Sequence, residues 1–570
     1  MLGIALWDWV ALIAYFVIIA ALGLWSARRV SDTADFFIGG RRFGKTFMVF
    51  FSFGVGTSGN DAVGVSSKTY TSGLSGIWYQ WLWLFCTPFY WIIAPVFRRM
   101  RALTTGDYFE ARYGPRTAGL YTLVGVLVLT VNIGVVQLGA GSMIEAITNG
   151  MISRHSAIFA MTALFVIYGI AGGLGAAIIT DLIQGMLTVL LSFMLLPFTL
   201  KAVGGFAGLH AGIADKHMFS LVAPGEINAF HIAILCINAL VGIVTQPHIM
   251  GVCAAGRNEM DGRVGFAGGN LLKRFCTIAW TVVGLCAVVM YPGLTSTQTD
   301  LVYGNVARDL LPAIMPGLVG IFLAALLASV MSSCDAFMVS CSGLFTQNFY
   351  RRFLVTARDD KHYVLVGRIA SLIIVITAII FAYTVSNVPR GLEIFFALQA
   401  MMGAAFWLGL FWRRATPAGA WAATLVSIAI YFFTLSRPFN TWAVQNLPEY
   451  MIWAGSFRVS WQMFFYLTAG FSTGIIVSLF TRRVPDAKLD RFYACLRTPV
   501  RDSEPHMPEP FMLPPGVTPP PPRKLINHPD FEIPMPSREG IMGFGFFALC
   551  VVLLIAFVYW MATWGAPAQS

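Results

Sequence analysis

Residues 50–67, FFSFGVGTSGNDAVGVSS, decide the fold of this chain. The stretch is long enough to cross a bilayer, yet it contains glycines, hydroxyl side chains, an amide and the carboxylate of Asp61. Irregular backbone at membrane depth is tolerated only where protein buries it or where it lines a cavity. We therefore predict that this stretch forms two half-helices beside a binding site, because glycine lets the backbone open between them.

The composition of the whole chain indicates a membrane protein. Of its 570 residues 57% are hydrophobic and only 11% are charged, and apolar runs of about twenty residues recur along it. Alternating β-barrel patterning is absent from the sequence, so the prediction is an all-α polytopic membrane protein. About fourteen transmembrane helices are predicted, at residues 7–26, 47–65, 75–97, 119–146, 156–173, 179–200, 230–251, 275–291, 310–343, 367–386, 391–411, 417–435, 460–480 and 541–563.

The formal net charge of +11 carries information about topology. Most of the basic residues fall in alternate loops, including the pairs Arg28/Arg29, Arg98/Arg99, Arg351/Arg352, Arg413/Arg414 and Arg482/Arg483. The positive-inside rule then predicts a multi-pass protein of a cell membrane with both termini outside. The N-terminal run lacks a preceding basic region, which favours a first span over a cleaved signal peptide. The expected partners are the lipid bilayer and a small solute, with no nucleic acid; the oligomeric state is left open.

A second interrupted span lies five spans after the first. In VGIVTQPHIMG (241–251), Pro247 removes a backbone donor and breaks the helix. Paired interruptions at corresponding positions of two halves are typical of transporters built from inverted repeats, with the binding site between the broken helices. Spans 2–6 (47–200) and spans 7–11 (230–411) are the predicted repeats.

The remaining segments are predicted to lie outside the repeats. Residues 1–46 form an extra transmembrane helix with a cytoplasmic loop, and residues 412–481 form accessory spans 12 and 13. Residues 482–540 include FMLPPGVTPPPPRK and are predicted to be a cytoplasmic, Pro-rich, largely disordered linker. Residues 541–570 form the last helix and a tail.

The predicted ninth span, LLASVMSSCDAFMVSCSG, places hydroxyls on one helical face. Ser329, Ser332 and Ser333 occupy positions i, i+3 and i+4. Close helix packing through small residues is one interpretation. The other is coordination of a hard monovalent cation, which requires oxygen ligands.

Two further side chains in the interrupted spans are candidates for function. A carboxylate at membrane depth is costly, so Asp61 is expected to attract a cationic part of a solute, bind a second cation or exchange a proton, unless Lys68 is merely its structural partner. His248 follows Pro247 in the second break and is expected either to contact the solute or to be a hydrogen-bonded packing residue.

Six motifs give the chain a resemblance to the sodium/solute symporter family over residues 5–480. They are GTSGNDAVG (56–64), TTGDYFEARYG (104–114), AGGLGAAIITDLIQG (171–185), TQPHIMGVCAAGR (245–257), LLASVMSSCDAFMVSCSGLF (326–345) and GLFWRRATPAGAWAA (409–423), in the family's order. The resemblance implies a LeuT-type five-plus-five inverted-repeat core preceded by one extra helix. QPHI resembles the proline and organic-acid branches more than the sugar branch.

The resemblance also implies roles for individual residues. It places a sodium ion on the carbonyls of Gly54, Thr57 and Ser329 and the hydroxyls of Ser332 and Ser333, and it places Asp181 on the sodium route to the cytoplasm. The solute is expected between the breaks, near Ser58, Asn60, Asp61, Gln246 and His248.

The chain also departs from the family's pattern. Proline-type members carry an aspartate at the position of Gly56 and an arginine near that of Gly251, so proline is not the indicated solute. The altered cation site leaves room for protons as coupling ions.

The predicted function is that of a sodium-coupled secondary active symporter that imports a small organic solute by alternating access, and not that of an enzyme. A solute sensor with the same fold is one alternative. An intramembrane serine protease is a remote one, because GTSG (56–59) matches G-x-S-G and PHIMG (247–251) offers H-x-x-G; Ser58 and His248 would be its dyad.

Overall fold

Helices make up nearly all of the computed structural model. The structure describes residues 5–27, 37, 39–223, 225–296, 298–501, 504, 507 and 509–566, without the side chains of 23–27, 167–173 and 176. The helices of the first half are α1 (Leu6–Ala27), α2 (Lys45–Gly56), α3 (Gly59–Ser72), α4 (Trp78–Trp81), α5 (Thr87–Arg99), α6 (Thr105–Tyr113), α7 (Pro115–Ile147), α8 (Arg154–Met194), α9 (Leu196–Ala202) and α10 (Gly205–Gly212).

The second half also consists of long and short helices. It contains α11 (Ala229–Ile243), α12 (His248–Ala254), α13 (Glu259–Met290), α14 (Val302–Leu310), α15 (Leu318–Phe345), α16 (Asp360–Ala382), α17 (Val388–Ala400), α18 (Gly403–Phe411), α19 (Pro417–Leu435), α20 (Arg437–Asn446), α21 (Val459–Phe480), α22 (Asp486–Arg497) and α23 (Arg538–Met561). A π-helical extension, Thr346–Leu354, follows α15. Two short antiparallel strands, β1 (Ile452–Trp453) and β2 (Ser456–Phe457), form a hairpin in the loop before α21.

Both predicted helix breaks are confirmed. Thr57 and Ser58 adopt extended backbone between α2 and α3, so the regular hydrogen bonding of α2 ends here, and its last bond runs from the amide of Thr57 to the carbonyl of Gly54 at 3.3 Å. Helices α11 and α12 are bent by 71° across the segment that contains Pro247. Each break therefore leaves helix ends in the middle of the bundle, where they can face a ligand.

Helix α15 lies at the centre of the bundle and α23 at its edge. In the most apolar part of α15, 89% of the residues are buried inside the protein, against 22% for α23. Helix α15 packs against α7, α8 and α1, and its face toward α2 carries Ser329, Ser332 and Ser333. The hydroxyl-bearing face is therefore in the protein core and not in lipid.

The predicted number of spans is not reproduced. Among the described residues, nine helices are long and apolar enough to cross a membrane, or ten when the bent pair α11–α12 counts as one span. The predicted span 156–173 lies within helix α8, and the predicted span 179–200 begins in the same helix and ends in α9. The predicted span 310–343 starts later, at Leu318, because Pro312, Pro316 and the left-handed Gly317 precede α15.

The prediction of a disordered segment at 482–540 is wrong for its described residues. It contains α22, and the amide of Phe511 donates to the carbonyl of Met100 at 2.9 Å. Arg101 is buried in an ion pair with Glu504. Glu532 pairs with three cations, Arg413 (2.8 Å), Lys524 (3.0 Å) and Arg497 (3.4 Å). Acidic and aromatic residues thus dock the segment on the loops of the bundle, although its proline content indicates extended chain.

Candidate solute and cation site

One cavity lies between the two broken spans. It is lined by all five residues predicted to bind solute, which are Ser58, Asn60, Asp61, Gln246 and His248. Helices α13 and α15 complete its wall with Lys273, Arg274, Ser333 and Phe337. The structure thus brings together residues that are almost 200 positions apart in the sequence.

Asp61 has four polar contacts at the start of α3. Its Oδ2 accepts from the amide of Ser58 at 3.0 Å, and its own amide donates to the Ser58 carbonyl at 2.9 Å. Its Oδ1 accepts from Nε2 of Gln80 at 2.5 Å, and Nζ of Lys273 lies 2.9 Å from Oδ2. The carboxylate therefore caps the half-helix and forms a buried ion pair, which is the arrangement that a charge at this depth requires.

The partner of Asp61 is Lys273, and Lys68 is excluded from that role. Lys68 forms an ion pair with Glu226 instead, and Ser72 donates to the same carboxylate at 2.7 Å. Lys273 also donates to the carbonyl of Gly56, the last residue of α2. It therefore contacts both half-helices of the broken span.

Sequence reasoning missed Lys273 and Arg274. The predicted eighth span began at residue 275, which placed both side chains in a cytoplasmic loop. Helix α13 in fact begins at Glu259, and both residues are buried. Nη1 of Arg274 donates to the carbonyl of Gln80 at 2.7 Å. The signal that could have found them is the weakly polar run VGFAGGNLL (264–272), which continues the helix toward the N-terminus.

The second break contributes an amide and an imidazole. Gln246 donates to the side chain of Gln399, whose backbone carbonyl accepts from Thr245 Oγ1 at 2.5 Å. The ring of His248 packs on Phe337 with 4.8 Å between centroids, and its Nδ1 has no hydrogen bond to a described residue. The hydroxyl of Ser58 is also without one, so Ser58 and His248 do not form the hydrogen-bonded dyad of a serine protease.

The predicted cation ligands meet at the end of α2. Ser333 Oγ donates to the carbonyl of Gly54 at 2.9 Å and lies 3.5 Å from that of Thr57. Ser329 Oγ accepts from the amide of Gly59 at 3.0 Å and donates to the Leu326 carbonyl at 2.7 Å. The hydroxyl of Ser329 is therefore already hydrogen-bonded. The predicted cation ligand of this residue is its backbone carbonyl.

Ser332 and Asp181 lie on the other side of Gly54. A methyl group built on Gly54 would be 2.4 Å from Ser332 Oγ and 3.6 Å from Asp181 Cγ. Ser332 Oγ faces the carboxylate of Asp181, and these oxygens and Thr57 Oγ1 are buried without a well-aligned hydrogen bond to any described residue.

These unpaired oxygens fit a bound cation. Buried polar atoms are nearly always hydrogen-bonded, so a group of unpaired ones indicates a ligand. Hydroxyl, carbonyl and carboxylate oxygens are the ligands of hard cations such as Na⁺. No group of histidine, cysteine and acidic residues typical of a transition-metal site occurs among the described residues.

The comparison with protein families decides the identity. Residues 36–427, more than half of the chain, match the model of the sodium:solute symporter family. The chain belongs to the sodium:solute symporter family. The resemblance noted in the sequence is thereby confirmed.

Individual relatives support the same conclusion. The symporter is 24% identical over 452 residues to the high-affinity proline transporter PutP of Bacillus subtilis, covering 75% of this chain and 92% of the relative. It is also 24% identical over 477 residues to the sodium/glucose cotransporter of Vibrio parahaemolyticus, covering 77% and 87%.

The solved structure of a Na⁺-coupled sialic acid symporter superposes on the symporter with a TM-score of 0.70. The two sequences are 18% identical, and the match covers 84% of this chain and 99% of the other. The predicted all-helical, LeuT-type fold class is therefore confirmed. The symporter is a multi-pass membrane protein that couples sodium to the transport of a solute, and nothing favours the sensor or the protease.

Proposed function

We propose that the symporter imports a small organic solute with a carboxylate group, with Na⁺ as the coupling ion, and that it acts as a carrier and not as an enzyme. The observation that carries the proposal is the cavity between the two breaks. Two cationic side chains, Lys273 and Arg274, line it with the single carboxylate Asp61. Counting His248 as neutral, its walls bear a net positive charge, and a solute anion would balance that charge.

The unpaired polar atoms of the cavity favour the same class of solute. Nε1 of Trp83, Oγ of Ser58 and Nδ1 of His248 are buried without hydrogen bonds to described residues. The indole is a donor only, and the hydroxyl and a suitably protonated imidazole are also donors. Phe337 and Phe395 also line the cavity and supply apolar contact. A compact carboxylate with a further acceptor oxygen matches these donors.

The solute's carboxylate would bind at Lys273. Asp61 holds the ammonium group in place before the solute arrives, and Gln80 holds Asp61 through its amide. A solute anion that approaches Lys273 is attracted by the net positive charge that Lys273 and Arg274 together leave after Asp61 is balanced. Solutes without an anionic group lack this attraction, so the cavity favours anions.

Sodium would bind between α2 and α15. The carbonyls of Gly54 and Thr57 and the hydroxyls of Ser332 and Ser333 surround the position. Binding there orders the break at Thr57–Ser58, and Ser58 faces the solute cavity. The ion therefore assembles part of the solute site, and the coupling is reciprocal. After the bundle has rocked inward, the ion leaves past Asp181.

A proton is a candidate for a further coupling ion beside sodium. The observation that favours it is the pair of unpaired carboxylate oxygens on Asp181, next to Ser332. A carboxyl group in that position could exchange a proton instead of contacting sodium. Uptake driven by a sodium gradient at equal pH on both sides separates the two ions.

The orientation follows from the basic residues. Arg99, Arg101, Arg413 and Arg483 pair with residues that lie in or next to the docked segment 482–540 or the start of α13. They therefore share one face of the bundle, which the positive-inside rule assigns to the cytoplasm of a cell membrane. The N-terminus of α1 and the C-terminus of α23 would face outside.

The test is uptake into proteoliposomes. The full chain is screened with labelled carboxylates, amino acids, sugars and quaternary amines, with sodium against potassium outside. Accumulation of a carboxylate only with sodium is expected, and accumulation of neutral or cationic solutes alone would contradict the proposal. Binding of a solute without accumulation would identify a sensor.

A pair of serine variants tests the cation site. Ser332→Ala combined with Ser333→Ala removes two proposed ligands and should abolish sodium-driven uptake. Ser342→Ala is the matched control, because Ser342 is buried on the same helix and bonds only to Val339 of its own turn. Full sodium-dependent uptake by the double variant would contradict the proposed cation site.

A further inference from the structure

Helix α1 lies outside the predicted repeats, yet it contacts α15, which carries the proposed ligands Ser332 and Ser333, and α8, which carries Asp181. Most of α1 faces lipid, and Val17, for example, is 63% exposed. Asp8, Tyr15 and Ile19 share the one buried face. Asp8 and Tyr15 are the polar residues of that face, and both make contacts to other parts of the chain.

Asp8 contacts the N-terminal end of α15. Its Oδ1 accepts from the amide of Gly320 at 2.8 Å, and its Oδ2 accepts from the amide of Ala5 at 2.9 Å. Helix α15 starts directly after the left-handed Gly317, which provides no side-chain cap. The carboxylate of α1 therefore takes the role that an N-cap residue of α15 would have. A side chain at Gly320 would come within 2.2 Å of the Asp8 carbonyl oxygen, so the two helices touch closely here.

Tyr15 contacts both α8 and α15, the helices that carry Asp181 and Ser332. Its hydroxyl accepts from Nε2 of Gln184 on α8 at 3.2 Å and donates to the sulfur of Met331 on α15 at 3.7 Å. Gln184 lies about one turn after Asp181 on the same helix, and Met331 directly precedes Ser332. One hydroxyl thus joins the segment that carries Asp181 to the segment that carries Ser332.

We infer that Tyr15 and Asp8 are positioning residues of the sodium site, which they hold together from outside the repeats. The inference rests on the proposed sodium site. Asp8 fixes the position of α15 along the axis of α1. Tyr15 fixes the distance between α8 and α15 next to Asp181 and Ser332. Sodium–oxygen contacts depend steeply on distance, so loosening this link weakens sodium binding without removing a ligand.

The experiment measures sodium binding to the purified full chain through thermal stabilisation. Sodium chloride is titrated against choline chloride at constant ionic strength, and the half-saturating sodium concentration is read from the rise in melting temperature. Tyr15→Phe removes only the hydroxyl. We expect it to raise the half-saturating concentration about three- to tenfold, the effect of one lost hydrogen bond, with the sodium response measured against the variant's own melting temperature in the absence of sodium.

Three further variants complete the design. Gln184→Met removes the donor on the other side of the link and should reproduce the effect, also where Tyr15→Phe fails to fold. Val17→Ala, on the lipid-facing side of α1, should bind sodium like the unmodified chain. The double variant Ser332→Ala and Ser333→Ala should lose the sodium response.

The outcomes distinguish failure of the positioning role from failure of the proposed sodium site. Unchanged half-saturation in both Tyr15→Phe and Gln184→Met, together with a lost response in the serine variant, overturns the positioning role and leaves the sodium site intact. A lower melting temperature without sodium and an unchanged half-saturation would show a merely structural link and also overturn it. A full response in the serine variant overturns the site and this inference with it.

Discussion

Asp61 and Lys273 form an ion pair with 2.9 Å between Oδ2 and Nζ, and both side chains are more than nine-tenths buried. Asp61 lies in the first turn of α3, in the first predicted repeat, and Lys273 lies in α13, in the second. The pair therefore links the two halves of the molecule at the level of the cavity. Such a pair is worth little as net stability but is costly to break on one side only.

Lys273→Met should therefore destabilise the protein and abolish the preference for anionic solutes. Removing one partner of a buried pair leaves an unpaired charge, which costs about 3 kcal/mol. Asp61→Asn should have a similar effect on stability and should change solute affinity. Melting temperatures in detergent and uptake in proteoliposomes measure the two effects separately.

The double variant and a control make this prediction specific. Asp61→Asn combined with Lys273→Met should regain most of the lost stability, since no charge is left unpaired, but it should not regain transport. Lys68→Met breaks the pair with Glu226 outside the cavity and should leave the choice of solute unchanged. Normal uptake by Lys273→Met would show that Lys273 is a structural residue only.

Gly54→Ala should remove the sodium response by steric conflict. The added methyl group would lie 2.4 Å from Ser332 Oγ, whereas real contacts of this kind exceed 3.0 Å. Gly56→Ala, two residues later, is the matched control, because no atom lies within 4 Å of the methyl group it adds. Sodium titration followed by thermal shift should therefore give a response with Gly56→Ala and none with Gly54→Ala.

A second substitution relieves that conflict. Ser332→Ala removes the clashing hydroxyl and leaves its Cβ at 3.6 Å from the new methyl group, an ordinary contact. The pair Gly54→Ala and Ser332→Ala should restore the melting temperature and still fail to respond to sodium. A sodium response in Gly54→Ala alone would show that α2 and α15 are not held at this separation.

Asp300 should make the stability of the symporter depend on pH. It lies in the loop between α13 and α14, where its Oδ1 accepts from Ser67 at 3.1 Å and its Oδ2 from the amide of Val388 at 2.9 Å. Burial raises its pKa from the usual 3.8 to about 6, and these hydrogen bonds together with the charge of Arg154 limit the rise.

The direction of the pH effect follows from that raised pKa. The folded protein binds this proton more tightly than the unfolded chain, so the contribution of Asp300 to stability falls as the pH rises from about 4 to about 6 and is constant above. The melting temperature relative to Asp300→Asn should show this change between pH 4 and 6. A difference between the two proteins that does not vary with pH would contradict the assignment.

Glu504→Gln should loosen the docked segment 482–540. The guanidinium of Arg101 is fully buried and Glu504 is its carboxylate partner, so the variant leaves a buried cation without its counter-charge. Trypsin should then cleave after Arg501 or Arg523 faster than in the unmodified chain, as gel bands report. Glu509→Gln is the control, because Glu509 and its partner Arg491 are both exposed and such pairs contribute little. Equal cleavage rates in the two variants would argue against docking through Arg101.

The breaks and the residues next to them could be predicted from the sequence. Glycines 54, 56 and 59 and Pro247 mark places where a helix cannot continue easily, and Ser58, Asn60, Asp61, Gln246 and His248 lie within a few positions of those marks. Their gathering around one cavity follows from the breaks, because each break leaves helix ends that need polar surroundings.

Lys273 could not be predicted in the same way. A Lys-Arg pair in front of an apolar run is the usual sign of a loop, and only the packing of α13 against α3 shows that this pair is inside the bundle. The docking of residues 482–540 could not be predicted either, since it depends on partners such as Arg101 that are several hundred positions away in the sequence. Local composition indicates the conformation that a segment prefers by itself. It does not show which distant residues can bind that segment.

The ion pairs of the docked segment have a consequence for biogenesis. Glu504 is 403 residues after Arg101, and Glu532 is 119 residues after Arg413. At the usual pace of translation, the ribosome needs about 20 to 80 s to make the first of these intervals. The arginines therefore emerge as free positive charges while the early helices are inserted and their orientation is chosen. Their neutralisation comes only after that choice, when the late segment folds back onto the finished loops.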